Sequence, residues 1–164
     1  MQLPTLLTLA FSAAPALATM IPRDTTVGTA SVLNKCSFPV TLWSMGSSVS
    51  APVALDAATG AYNEQYAQDP VTGGKALKIT TASDGLYTFA PELVFAYALD
   101  GDKIWYDLSS VFGDAFTGYK VSLEGKETDG TSCGAIEWAT GTQLAGSQTR
   151  VCGSAAGVVL TLCA

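Results

Sequence analysis

The sequence predicts an all-β protein: a single antiparallel β-sandwich domain over residues 19–164, held by two disulfides. Three observations carry this prediction. Short segments of alternating apolar and polar residues are separated by turns rich in Gly, Pro and Asp, and no segment has the period of an amphipathic helix. Only 13% of the residues are charged. The cysteines number four, an even count. These features together are typical of an exported β-sandwich.

Residues 1–18 are predicted to be a secretory signal peptide that takes no part in the fold. An apolar stretch over residues 6–18 ends in Ala16-Leu17-Ala18, the small-x-small pattern that a signal peptidase recognises. The stretch is too short to span a bilayer. The alternative interpretation is a short buried helix. We therefore expect a secreted, extracellular protein without a membrane span.

The first two strands are predicted at residues 30–34 and 38–45. Strict alternation in the second strand places Leu42 on one face and Trp43 on the other. Pro39 has no amide donor, so we expect this strand to begin there or to lie at a sheet edge.

The middle of the chain predicts a hairpin. After a loop rich in Ser, Gly and Ala, residues 61–67 fit either a strand or one helical turn, and residues 75–80 alternate as a half-buried strand. Residues 93–99 and 103–108 are predicted to pair through a tight turn at residues 100–102. Further strands are predicted at residues 119–123, 135–138 and 158–162.

The four cysteines are Cys36, Cys133, Cys152 and Cys163, and they can pair in three ways. We favour Cys36 with Cys163, which ties the first strand to the last, and Cys133 with Cys152, which closes a local loop. A zinc site is the alternative, but the chain has no Cys-x-x-Cys motif and no histidine. We therefore predict two disulfides, no metal and no other cofactor.

The charge and the missing residue types exclude several functions. The net charge is −6, from 14 acidic and 8 basic residues. An acidic protein repels polyphosphates and anionic lipid surfaces, so nucleic acid is not an expected partner. Without histidine there is no Ser-His-Asp triad and no Cys-His pair. With all cysteines in bridges, no thiol nucleophile remains.

Carboxylate chemistry is the catalytic option that survives. A glycosidase needs two carboxyl groups about 5–9.5 Å apart across a cleft. A protein of this size also exposes acids simply for solubility, so the acids alone do not indicate an enzyme. The candidates are Glu64, Glu92, Asp107, Asp114, Glu124 and Glu137.

Two segments resemble a known family. Residues 32–43 (VLNKCSFPVTLW) resemble the opening strands of thaumatin-like proteins, where Asn, Cys and Trp recur in that order. Residues 93–113 (LVFAYALDGDKIWYDLSSVFG) resemble the hairpin of that family that ends in Tyr-Asp-Val-Ser. The chain is most similar to the small fungal branch, the Blastomyces yeast-phase-specific protein family of antigenic thaumatin-like proteins. The resemblance implies a thaumatin-like β-sandwich that is secreted, antigenic and associated with the cell wall.

The resemblance also implies where a cleft would lie. Larger plant members carry an acidic cleft linked to β-1,3-glucan binding and, in some, weak hydrolysis. Asp107 matches the Asp of the Tyr-Asp-Val-Ser motif. The family's next cleft Asp falls at Phe112, and the cleft Glu of its preceding strand falls at Val94. Glu92 lies two residues from Val94 and so points to the same face, where a shifted register would restore one acid. A complete acid pair is therefore not visible.

Because these acids are missing, we predict a non-catalytic protein. It is secreted and binds cell-wall β-glucan or a protein on a host or neighbouring cell. The expected glycan-binding residues are Asp107, Glu92, Trp105 and Tyr106, since aromatic faces stack on sugar rings. The alternative is a weak β-1,3-glucan hydrolase that uses the cleft carboxylates. An antifungal protein that acts without turnover is a third hypothesis. We expect the protein to be a monomer.

Overall fold

The computed structural model describes residues 26–164, so the predicted signal peptide lies outside the described part of the chain. This part contains eleven β-strands and one helical turn, α1 (Gly85–Thr88). The strands are β1 (Thr29–Asn34), β2 (Val40–Met45), β3 (Val53–Leu55), β4 (Ala61–Gln65), β5 (Lys75–Thr80), β6 (Glu92–Asp100), β7 (Lys103–Val111), β8 (Val121–Lys126), β9 (Ser132–Trp138), β10 (Arg150–Gly153) and β11 (Gly157–Leu162).

The strands form the predicted sandwich of two sheets. The five-stranded sheet has the order β4-β1-β11-β8-β9, and the six-stranded sheet has the order β10-β7-β6-β5-β2-β3. All pairs of named strands are antiparallel except β1 with β11, which run parallel. The fold class is confirmed, with this one parallel pair joining the first strand to the last.

The core lies between the two sheets, because each strand turns alternate side chains inward. Val32 on β1 and Leu160 on β11 are fully buried from one sheet, and Leu77 on β5 and Phe95 on β6 are fully buried from the other. Burial of each such side chain contributes roughly 1.5–3 kcal/mol. The remaining residues of the six-stranded sheet point away from the core and form what we call its outer face.

Asn34 organises the junction after β1. Its side-chain amide donates hydrogen bonds to the carbonyl oxygens of Phe38, Leu55 and Asp56 at 3.0–3.1 Å, and its carbonyl oxygen accepts one from the amide of Cys36 at 3.0 Å. The side chain is fully buried. This network explains why Asn precedes the first cysteine by two residues, and it leaves the amide nitrogen inaccessible to an N-linked glycan.

Both favoured disulfides are present. Cys36–Cys163 joins the chain just beyond the ends of the parallel strands β1 and β11, with a Cα–Cα distance of 4.9 Å. Cys133–Cys152 links β9 of the five-stranded sheet to β10 of the six-stranded sheet, with a Cα–Cα distance of 5.5 Å. One bridge therefore closes the two ends of the domain, and the other fastens the sheets together at one edge.

Several details differ from the sequence prediction. Residues 61–65 form strand β4, so the helical-turn alternative for this segment is wrong. Strands β3 and β10 were not predicted, because they contain only three and four residues and lack clear alternation. Strand β2 begins immediately after Pro39, as expected, but it is paired on both sides, by β3 and β5.

Residues 81–91, which we call the covering segment, lie over one half of the outer face. Gly85 packs so closely on Thr80 that an added Cβ would collide with its side chain. The ring of Tyr87 stands edge-on to Trp43, with 6.3 Å between the ring centroids. Trp43 is consequently buried although it points away from the core. The other half of the outer face is left open.

Candidate functional site

The open half of the outer face forms a groove of about 620 Å³. Its floor consists of Ala76, Ala96 and Ala98 on β5 and β6. Ala76 lies opposite Ala96, Ala96 lies opposite Asp107, and Ala98 lies opposite Trp105. Three small side chains on neighbouring strands, flanked by larger ones, create a concave surface on the outer face of the sheet. The floor is apolar, so it can contact the flat apolar face of a ligand.

Trp105 forms one wall of the groove. It is 42% exposed, whereas Trp43 and Trp138 are fully buried. Its position on β7 is fixed by pairing with Ala98 on one side and with Val151 of β10 on the other. Among the described residues, Trp105 is therefore the one tryptophan whose ring can contact a ligand without unfolding.

The opposite wall is built from two loops that Asp69 holds together. The Asp69 carboxylate accepts hydrogen bonds from the amide and hydroxyl of Ser47 at 2.7 and 2.8 Å, and from the amides of Val71 and Thr72 at 2.9 Å each. These bonds, first of all that from the Ser47 amide, hold the pKa of Asp69 well below its ordinary value. The neighbouring residues Gly46 and Thr72 line the groove, so this wall is fixed before any ligand arrives.

Asp107 supplies a carboxyl group in the groove. Burial raises its pKa above the ordinary value for aspartate, and a hydrogen bond from the Leu108 backbone opposes part of that rise. In residues 26–164 no Lys or Arg lies within ion-pair distance of it. A partly desolvated carboxyl without a charged partner, facing a concave surface, is typical of a ligand-binding position.

Glu92 is placed differently from the prediction. It is only 1% exposed, beneath the covering segment, and its Oε2 lies 2.8 Å from Nζ of Lys78. Lys78 reaches the end of the groove, but its charge is neutralised by Glu92. The structure therefore gives Glu92 the role of a buried counter-ion and does not place it on the ligand-facing surface.

Tyr106 requires a correction. Its ring points into the core and is 1% exposed, and its hydroxyl donates a hydrogen bond to the carbonyl oxygen of Gly134 at 2.8 Å. Adjacent residues of a strand point to opposite faces, so Tyr106 cannot share the outward direction of Trp105. As the protein is folded, the ring of Tyr106 is not available to stack on a sugar.

The candidate carboxylates do not meet in one cleft. Glu92 lies opposite Val111, four residues along β7 from Asp107, so their Cα atoms are about 14 Å apart by standard strand geometry. Asp114 accepts hydrogen bonds from the hydroxyl of Ser110 at 2.7 Å and the amide of Gln143 at 3.0 Å.

The other three candidates lie on the five-stranded sheet. Glu137 on β9 pairs with Lys120 at 3.0 Å, and Glu124 on β8 pairs with Lys126 at 3.3 Å. The acids are therefore spread over both sheets.

Glu64 belongs to a contact between the sheets. It accepts hydrogen bonds from the hydroxyls of Tyr97 at 2.5 Å and Tyr62 at 2.8 Å, and it lies 3.5 Å from Lys75. Burial alone would raise the pKa of Glu64, but the hydrogen bonds and the Lys75 charge leave it below its ordinary value. Burial, reinforced by the bond to Glu64, raises the pKa of Tyr62 to about 12. This network stabilises the sandwich and does not face the groove.

One further cluster resembles a metal site by composition alone. An oxygen of Glu127 and the sulfurs of Cys133 and Cys152 lie within 4.8 Å of one another. The two sulfurs are bonded to each other, so they are not thiolate ligands. Glu127 instead accepts a hydrogen bond from the amide of Gly153 at 2.8 Å.

Sequence reasoning found two of the groove residues, Trp105 and Asp107, and missed the rest. The alanine floor has no sequence signal, because three alanines on two strands become neighbours only through the register. Asp69 precedes Pro70, a pair typical of turns, but nothing in the sequence shows that its carboxylate reaches across to Ser47. Within residues 26–164, no helix is long and apolar enough to serve as a membrane span.

Comparisons with known proteins agree with this fold. A family model described as "Blastomyces yeast-phase-specific protein" matches residues 17–164. The chain is 30% identical over 149 residues to the secreted thaumatin-like protein calA of Emericella nidulans, covering 86% of this chain and 84% of that one. It is 29% identical over 124 residues to an antigenic thaumatin-like protein of Arthroderma benhamiae, covering 74% of this chain and 60% of that one.

A solved structure shares the architecture. The crystal structure of the protein elicitor MoHrip2 from Magnaporthe oryzae superimposes with a TM-score of 0.67, covering 84% of this chain and 99% of that one. The sequence identity is 22%, so this likeness concerns the fold.

Proposed function

The chain belongs to the Blastomyces yeast-phase-specific protein family of fungal thaumatin-like proteins, and from this premise we propose that it is a secreted, non-catalytic protein that binds a neutral cell-wall glycan through the groove. One observation carries the proposal: Trp105, the exposed tryptophan of the described chain, stands beside a floor of alanines with the Asp107 carboxyl in reach. Secretion is supported by the name of the Emericella nidulans relative.

The chemistry of the groove suits a sugar chain. The apolar C–H face of a pyranose stacks on an indole ring, while its hydroxyl groups need hydrogen-bond acceptors and donors at the rim. Asp107 accepts from such hydroxyls, and so can the oxygen of the Thr72 hydroxyl at the edge, whose own proton is donated to the carbonyl oxygen of Gly74. The net charge of −6 disfavours anionic polymers. A neutral polysaccharide such as β-1,3-glucan is therefore the ligand we propose.

Binding without hydrolysis is supported by the spacing of the acids. A glycosidase acts through two carboxyl groups about 5–9.5 Å apart. Among the described residues that line the groove, Asp107 is the one acid, and Glu92 is held in an ion pair with Lys78 beneath the covering segment. We therefore expect no release of reducing sugar from laminarin. Sugar release by the parent protein that disappears in Asp107→Asn would instead establish the alternative, a weak glucan hydrolase.

Retention on insoluble polysaccharide tests the proposal. We expect the purified protein to be retained on insoluble β-1,3-glucan or chitin at low and at moderate salt. The groove-filling variant Ala96→Trp should lose this retention, because the new ring occupies the floor without entering the core. A matched control is Ala135→Trp, which adds the same ring at an exposed position on β9 of the other sheet.

Two results would contradict the proposal. If the parent protein is not retained on either polymer, a surface protein replaces glycan as the expected partner. If Ala96→Trp is retained as well as Ala135→Trp, binding takes place outside the groove.

A further inference from the structure

Phe89 and Phe112 form an aromatic pair on the surface. The rings meet edge to face with 5.3 Å between their centroids. Solvent nevertheless reaches most of both side chains, since Phe89 is 70% exposed and Phe112 is 56% exposed. Phe89 follows the helical turn α1 in the covering segment, and Phe112 directly follows strand β7. Two exposed phenylalanines in contact are an apolar patch that the core does not use.

Both phenylalanines also hold a backbone conformation that their type disfavours. Phe89 has φ +57° and Phe112 has φ +59°, which is the left-handed region. Glycine adopts this region without steric cost and is the usual residue at the end of a helix, where Phe89 stands. The next residue, Gly113, also has a positive φ, and at that position the sequence does use glycine. Neither folding nor burial accounts for two strained and exposed aromatic residues side by side, and such outliers concentrate at functional positions.

The pair is connected to the groove along strand β7. Alternate residues of that strand point outward, beginning with Trp105 and Asp107 in the groove and continuing with Ser109 and Val111. Phe112 follows at the end of the strand. Phe112 lies seven positions after Trp105, which corresponds to roughly 23 Å of extended strand. This distance is longer than one sugar ring and requires an oligosaccharide.

We propose that the aromatic pair is a second sugar-binding site, which stacks on rings of the same neutral polysaccharide chain whose other part lies in the groove. This inference rests on the proposed function and adds to it that the ligand is a polymer read over several sugar units. The pair would bind by stacking alone, since the carboxylate of the adjacent Asp114 is already engaged by Ser110 and Gln143.

The size and charge of the patch favour a glycan over the other occupants. Phe89 and Phe112 are 70% and 56% exposed, and together they present roughly 250 Å² of aromatic surface. A stable protein interface needs about 800 Å² on each partner. The charged residues nearest in sequence to Phe89 and Phe112 are Glu92 and Asp114, both acidic, so an anionic lipid surface is disfavoured. A few stacked sugar rings match the available area.

Site-resolved NMR on protein with labelled phenylalanine tests the inference. We expect the ring signals of Phe89 and Phe112 to shift when laminarihexaose is added, and to stay in place with laminaribiose bound in the groove. A second titration with chitohexaose covers the other common neutral wall polymer. If neither hexasaccharide moves these two signals, the inference is overturned.

Glycine substitution separates binding from structure. In the double variant Phe89→Gly/Phe112→Gly we expect an unchanged or higher melting temperature, because glycine relieves the left-handed backbone. Affinity for the hexasaccharide should fall about tenfold and affinity for the disaccharide less than twofold. Phe89→Asn/Phe112→Asn, which also tolerates this conformation, replaces the glycine variant if the latter does not fold. Unchanged hexasaccharide affinity in the folded variant overturns the inference.

The groove variant Ala96→Trp distinguishes this failure from that of the proposed function. If Ala96→Trp loses binding while the ring signals of Phe89 and Phe112 in the parent protein do not shift, the proposed function holds and the second site is refuted. If the phenylalanine signals shift and Ala96→Trp binds normally, the aromatic pair binds the glycan and the groove does not.

Discussion

Replacement of Trp105 by alanine should weaken glycan binding by a factor that follows from the exposed area of the ring. A tryptophan side chain presents about 250 Å² when fully accessible, so 42% exposure leaves roughly 100 Å² open in the groove. If a sugar covers between half and all of that area, transfer from water at about 25 cal/mol per Å² contributes roughly 1.3–2.5 kcal/mol. The expected loss for Trp105→Ala is therefore about 10- to 70-fold in Kd.

Isothermal titration calorimetry with laminarihexaose measures this loss. Trp105→Phe keeps an aromatic face and should lose less than Trp105→Ala. Tyr119→Ala is a control for removing an exposed aromatic ring elsewhere, since Tyr119 packs on Phe38 away from the groove. Urea unfolding establishes that each variant is folded. A loss below threefold in Trp105→Ala would refute the assignment of Trp105 as the stacking surface.

Three further predictions concern the structure that supports the groove. Asp69→Ala should weaken glycan binding without altering the floor, as measured by the same titration. Because the pKa of Asp69 is lowered in the fold, its carboxylate stabilises the protein fully above the unfolded pKa of about 4, and this stabilisation is lost as pH falls below that value. Unfolding measured against pH should show this loss in the parent protein and not in Asp69→Asn. Removal of the bridge between Cys36 and Cys163 by double serine substitution should cost about 4–5 kcal/mol of unfolding free energy, because the bridge closes a loop of 127 residues, and a cost below about 1 kcal/mol in chemical denaturation would contradict this account. In Glu64→Gln the pKa of Tyr62 should fall from about 12 but stay above 10, because burial is the larger cause of the rise and the bond to Glu64 the smaller. Ultraviolet titration of the phenol measures this pKa. An unchanged pKa would show that Glu64 does not reach the phenol.

The strands that the sequence predicts best are those where local pattern and tertiary environment agree. Strand β5 has the predicted bounds because its alternation matches a sheet with one buried and one accessible face. The β6–β7 hairpin follows from two apolar runs around the turn at residues 100–102, although both strands extend beyond the predicted bounds. Strands β3 and β10 are short, and long-range pairing stabilises them more than their own residues do.

The groove could be predicted only in part, for a physical reason. Strand alternation alone places Trp105 and Asp107 on one face and Tyr106 on the other, so the sequence pattern itself argues against Tyr106 as a groove residue. Glu92 does point to the outer face, as the sequence indicates, but the covering segment buries it, and no local pattern shows that residues 81–91 fold back over the sheet. Tertiary placement of this kind decides which outward residues meet solvent.

The indole N–H signals of the three tryptophans provide the most direct test of glycan binding in the groove. Trp43 and Trp138 are fully buried, one beneath the covering segment and one in the core, whereas Trp105 lines the groove. On addition of laminarihexaose to nitrogen-15-labelled protein, we expect the Trp105 indole signal to shift with saturation and the signals of Trp43 and Trp138 to remain in place. A stationary Trp105 signal at a concentration where the protein is retained on β-1,3-glucan would contradict the account.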